Sequence, residues 1–164
     1  MRKIVWILTL SLVLCGCGTQ ETMETVADEM VVPVLAEPRE IFVALPEDSA
    51  LPVMESEYGT LYICRDYDVM IQTVEAGDLD ETVRRVSGFG VEDLTVIETG
   101  EGELDRYEFV WTSAGELGQQ IGRATILDDG TWHYVLSATM DAQKIGEYQE
   151  VWNGIFESFS LVSY

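Results

Sequence analysis

Six residues, Leu127-Asp128-Asp129-Gly130-Thr131-Trp132, limit what this chain can fold into more than any other stretch. A two-residue type I′ turn needs positive φ at both central positions, and Asp-Gly meets that need. The segments on either side are rich in β-branched and aromatic residues, so the turn predicts an antiparallel hairpin. A two-residue loop pairs Leu127 with Trp132, Thr125 with Tyr134 and Ala124 with Val135. Ile121, Thr125 and Leu127 then share one face with Trp132, Tyr134 and Leu136, and the other face carries Ile126, His133 and Val135.

The rest of the chain is built around that hairpin. Ile41–Leu45, Leu61–Arg65, Val69–Val74 and Leu94–Ile97 read as short strands. Tyr107, Phe109 and Trp111 alternate with Glu108, Val110 and Thr112, which puts the aromatics on one face as core. Asp78 is an N-cap residue with Glu81 three positions on, and Leu79, Val83 and Val86 form a helical stripe that ends at Gly88 or Gly90. Asp141 opens a second helix, where Ile145, Tyr148, Trp152, Ile155, Phe156 and Phe159 recur at helical spacing. Phe159 to Val162 reads as a final strand. Sequential hairpins with two inserted helices predict an α+β fold, an antiparallel sheet of about six to eight strands packed with two helices.

The start of the chain carries a different kind of information. Arg2 and Lys3 precede an apolar run of 11 residues, Ile4 to Leu14, and then Cys15-Gly16-Cys17. A spanning helix needs about 20 residues, whereas this run has the length of a secretory leader. Leu14 and Gly16 at positions −3 and −1 before Cys17 match a lipoprotein signal, cut between Gly16 and Cys17. The expectation is a diacylglyceryl group in thioether linkage on Cys17 and a protein held to the outer face of a membrane. Residues 1–16 are then a signal peptide, 17–38 the lipidated cysteine and an acidic tether, and 39–164 a single domain.

Charge narrows the partners. The chain carries 30 acidic and 9 basic side chains, a net charge of −21. Loss of residues 1–16 removes Arg2 and Lys3 and no acid, leaving −23 over 148 residues. Phosphates would be repelled, which argues against nucleic acid or an anionic lipid surface as partner. The hydrophobic fraction of 47% supports a real core. Of the three cysteines, Cys15 leaves with the leader and Cys17 takes lipid, so Cys64 has no partner for an internal disulfide.

At the level of layout the chain resembles PsbP-like domains. Phe42-Val43-Ala44-Leu45-Pro46 opens the domain, a meander follows, and Trp152-Asn153-Gly154-Ile155-Phe156-Glu157-Ser158-Phe159 closes it. The resemblance spans residues 39–163. It implies an antiparallel sheet packed between helices and a non-catalytic docking or accessory role. Some members of that group hold metal ions with histidines and acids, and this chain has a single histidine. No functional residue carries over.

Reactive chemistry has few candidates. There is no G-x-S-x-G elbow, no C-x-x-C and no phosphate-binding glycine loop. Asp78, Asp80 and Glu81 cluster, as do Glu98, Glu101, Glu103 and Asp105, but neither fits the calcium loop pattern. The first reads as helix capping and the second as a solvated loop. The sequence therefore points to no catalytic, cofactor or metal residues, and to an envelope protein as partner through an unidentified surface. The rival reading is a small envelope hydrolase with Cys64 as nucleophile and His133 as base.

Overall fold

The computed structural model describes residues 35–47, 52–101, 103–115 and 118–162. The expected signal peptide, its expected cleavage site Gly16–Cys17 and the expected tether through residue 34 lie outside these residues.

Nine strands and two helices are present among the described residues. In chain order they are β1 (Ile41–Phe42), β2 (Met54–Ser56), β3 (Gly59–Ile63), β4 (Tyr67–Glu75), α1 (Leu79–Ser87), β5 (Val96–Glu101), β6 (Leu104–Gly115), β7 (Gly118–Asp128), β8 (Trp132–Asp141), α2 (Ile145–Ser158) and β9 (Ser160–Leu161). Seven strands form one antiparallel sheet in the order β2-β3-β4-β8-β7-β6-β5. The chain's two outermost strands, β1 and β9, pair separately, Ile41 with Leu161 and Phe42 with Ser160.

The period of two sorts β8 between two cores. Tyr134, Leu136, Ala138 and Met140 pack with Trp152, Ile155 and Phe156 of α2. On the opposite face Val135 joins Ile126, Ala124 and Phe109 under Val83 of α1. Complete burial of side chains such as Phe156 and Val83 contributes about 1.5–3 kcal/mol each. This is the sheet-between-helices layout that the resemblance to PsbP-like domains implies.

Polar ties fix both helices. Arg123 on β7 stacks over the Phe156 ring, its guanidinium carbon 4.4 Å from the centroid, and donates to Asn153 Oδ1 at 3.0 Å. Asp80 on α1 accepts from the Val91 N–H at 2.7 Å and from Arg84 at 2.9 Å. Gly88 ends α1 at φ 82 with its N–H on the Arg84 carbonyl, as its position predicts. The segment before β1 lies on the domain: the Ala36 carbonyl accepts from Trp132 Nε1 at 2.7 Å, and the Arg39 N–H donates to the Tyr134 hydroxyl at 2.9 Å.

Several local expectations need correction. The β7–β8 register pairs Leu127 with Tyr134 and Asp128 with His133, two residues away from the expected register. The reason is the pair of aspartates. Asp129 accepts from the N–H groups of Thr131 and Trp132, Asp128 accepts from that of Gly130, and the Asp129 N–H donates to the Trp132 carbonyl at 3.3 Å, which moves the turn one residue on, to Gly130-Thr131. A slip of two keeps every side chain on its expected face. Asp78 caps α1 by accepting from the Asp80 N–H at 3.0 Å rather than through the box with Glu81. Asp141 caps a 3-10 turn, Ala142–Lys144, that runs into α2. Another 3-10 turn, Val91–Asp93, takes up the approach to β5, which starts at Val96 and not at Leu94. β1 is shorter than the expected Ile41–Leu45 strand, because the Ala44 N–H turns to Ser158 Oγ at 2.8 Å.

Candidate functional site

The single histidine sits at the end of β8, under α1, and is 1% exposed. Its Nδ1 is 2.8 Å from Thr82 Oγ1 and its Nε2 is 3.4 Å from Asp128 Oδ2. Thr82 is itself buried, so the three residues form a closed polar link between helix and sheet. Burial that deep shuts substrate out, and the paired groups satisfy each other. The link holds α1 against the sheet.

The hydrolase reading is corrected by the placement of Cys64. Its side chain belongs to the core beneath α2, with Tyr67 and Val69. His133 faces α1, on the other side of the sheet. The two also lie at opposite ends of it: Tyr67 pairs with Met140, while His133 pairs with Val74. Seven residues of strand, about 23 Å at 3.3–3.4 Å each, separate the two ends along β8. Cys64 and His133 therefore cannot act as nucleophile and base on one substrate.

Acidic clusters are put to local use. Asp78 and Asp80 are taken by backbone N–H groups and Arg84. Glu98 and Asp105 stand on the β5–β6 hairpin. Among the described residues no three His, Cys, Asp or Glu side chains converge on a point that could hold a metal ion. No helix among them is long and apolar enough to cross a membrane.

The most open feature is an edge. β6 runs for 12 residues and pairs with β7 from Asp105, opposite Asp128, through Gly115, opposite Gly118. On its other side β5 pairs only as far as Phe109, opposite Val96. Val110–Gly115 thus has no strand neighbour on that side among the described residues. Leu94 and Thr95 stand across from this segment without pairing, and a cleft of 770 Å³ lies between. Its walls are Phe89, Leu94, Ile97, Phe109, Val110 and Trp111. Val110 is 51% exposed and Ile97 59%.

Charge at the cleft is unbalanced. Glu108 and Arg123 line it and satisfy each other, with Arg106 adding a second cation at 2.6 Å from Glu108. Burial works to raise the Glu108 pKa, but the two arginines outweigh it and hold the carboxyl low. Asp93, also in the lining, has no cation partner among the described residues. Sequence reasoning missed both Thr82 and the open edge. The signal for the edge was present as a mismatch: an alternating run through Trp111 on one side, and a strand candidate of only four residues, Leu94–Ile97, on the other.

No family model matches this chain, and no curated protein matches it. Among solved structures it is similar to LpqN of Mycobacterium tuberculosis, a protein described as involved in cell envelope biogenesis. Identity is 14% and the TM-score 0.48, over 78% of this chain and 87% of that one. It is also similar to cyanobacterial PsbP from Synechocystis sp., at 10% identity and TM-score 0.49, over 78% of this chain and 85% of that one. These likenesses lie in the arrangement of the chain and carry no activity with them.

Proposed function

We propose that this protein is a lipid-anchored, extracytoplasmic accessory module of a bacterial cell envelope. It is non-catalytic and takes an extended segment of a partner protein along the open edge of β6. The anchor rests on the leader and on Cys17; the binding role rests on one observation, the edge itself.

Sheets normally protect such edges with lysine, proline, bulges or very short strands. The other end of this sheet obeys that rule, since β2 has three residues and carries Glu55. Val110-Trp111-Thr112-Ser113-Ala114-Gly115 has no charge and no proline. It offers six residues of backbone, about 20 Å, beside an apolar cleft that can receive alternate side chains. Asp93 and the net charge of −21 select a segment bearing lysine or arginine. The same charge disfavours a second copy of this chain as occupant.

The test places a photo-crosslinking residue at Thr112, with Glu55 on the far edge as control, in cells. The expected result is one adduct from Thr112, absent from Glu55 and lost when Val110→Lys is added. Mass spectrometry should locate the adduct in a segment containing lysine or arginine. Adducts from both positions, an adduct of the chain with itself, or persistence in Val110→Lys would each overturn the edge reading. For the anchor, Cys17→Ser should abolish labelling by a fatty-acid analogue; equal label on wild type and variant would contradict it.

A further inference from the structure

A second cavity, of 460 Å³, lies beyond the C-terminal end of α2 and beside β9. Its apolar side is Leu104, Leu127, Phe159 and Leu161. Its polar lining residues are Arg39, Arg106, Thr99 and Ser160. Among the described residues no aspartate or glutamate lines it, in a chain with 30 acidic and 9 basic side chains. A lining of donors without carboxylates runs against the composition of the whole molecule.

The two arginines are not equivalent. Arg106 has duties in the fold: its Nε donates to Glu108 Oε1 at 2.6 Å and its Nη2 to the Phe156 carbonyl at 3.2 Å, in the last turn of α2. A cation there also compensates the negative end of the helix dipole. Arg39 is different. Its backbone is fixed by the bond to the Tyr134 hydroxyl, yet its guanidinium makes no ion pair among the described residues. The Arg39 side chain is exposed and its charge is shared only at a distance, with the Asp129 carboxylate, so a guanidinium without an ion pair among the described residues stands beside an apolar wall, where it can recognise a bidentate anion on a hydrophobic body.

We propose that this cavity binds an anionic amphiphile. The carboxylate or phosphate head is held by Arg39, with Arg106 as the adjoining positive wall. The aliphatic part lies against Leu104, Leu127, Phe159 and Leu161. The volume falls within the range of small-molecule sites. The net charge of −21 keeps anions off the surface in general, so occupancy depends on these two residues and on the apolar contact together. The cavity shares no lining residue with the cleft at β6, so this site and the partner edge stand or fall separately.

The probe is a fatty carboxylate bearing a diazirine, photolysed with the full-length protein in its own membranes. Mapped label is expected on Leu104, Leu127 and Phe159–Leu161. Decanoate and decyl phosphate should compete, which tests the two head groups. Decanol and inorganic phosphate, the tail and the head alone, should not. Arg39→Gln should lower labelling about tenfold, the loss of one charge-assisted contact, whereas Arg85→Gln, an exposed cation elsewhere, should leave it unchanged. Labelling that is spread over the surface, equal in Arg39→Gln, or displaced by decanol as well as by decanoate would overturn the proposal. Displacement by inorganic phosphate alone would also overturn it, since the tail would then contribute nothing.

Discussion

Trp111 on β6 packs its indole directly over Gly122, its cross-strand partner on β7, leaving no room there for a Cβ. A cross-strand aromatic over glycine covers backbone that a larger residue would push away. Gly122→Ala is expected to displace the indole and destabilise the fold by about 1–3 kcal/mol. Urea denaturation measures it. Trp111→Leu with Gly122→Ala should cost less than the sum of the single changes, because the leucine removes the clash. Additive losses would contradict the contact.

The link between Thr82 and His133 makes a second expectation. Thr82→Val keeps the shape and leaves His133 Nδ1 buried without its partner. The expected cost is about 1–3 kcal/mol, and Thr82→Ser, which keeps a hydroxyl, should lose less. Equal stability of all three proteins in denaturant melts would show that the hydrogen bond contributes nothing.

Asp66 accepts hydrogen bonds from Lys144 and from the Tyr148 hydroxyl. The Lys144 bond first, then that of Tyr148, holds its carboxyl below the ordinary range. A folded-state pKa below the unfolded one stabilises the protein at pH above about 4. That contribution is lost as pH falls through the lowered folded value. Asp66→Asn should therefore flatten the acid limb of a stability–pH curve followed by tryptophan fluorescence. Parallel acid limbs would sink this assignment.

Cys64 is 7% exposed and sits in the core under α2. Iodoacetamide is expected to leave the native thiol unmodified and to alkylate it fully in denaturant, with peptide mapping to identify the site. Rapid native alkylation would show a reactive, accessible sulfur and would reopen nucleophilic chemistry at this residue.

Much of this architecture could be read from residue order, and the reasons are local. The stripe from Ile145 to Phe156 and the alternation of Tyr107, Phe109 and Trp111 carry their own period, so helix and strand follow without long-range information. Face assignment survived the shifted β7–β8 register because a slip of two preserves parity. The register itself depended on which backbone groups the Asp128 and Asp129 carboxylates would capture, and propensity does not decide that. β2 is short, exposed and contains Met-Glu-Ser, so nothing in its composition announced a strand. The open edge and the cavity at Arg39 depend on where β5 stops and where β9 returns. Both are settled by tertiary packing rather than by any one segment.

The hydrogen bond from Trp132 to Ala36 gives the molecule a direction. It ties the incoming chain to the end of the sheet where β7 finishes at Asp128. The unpaired stretch of β6 faces residues 118–123 of β7, from five to ten positions farther along, or about 17–34 Å away. The chain thus enters the domain at one end of β7, and the stretch of β6 without a second strand neighbour among the described residues lies toward the other end, so the entry of the chain leaves that backbone clear.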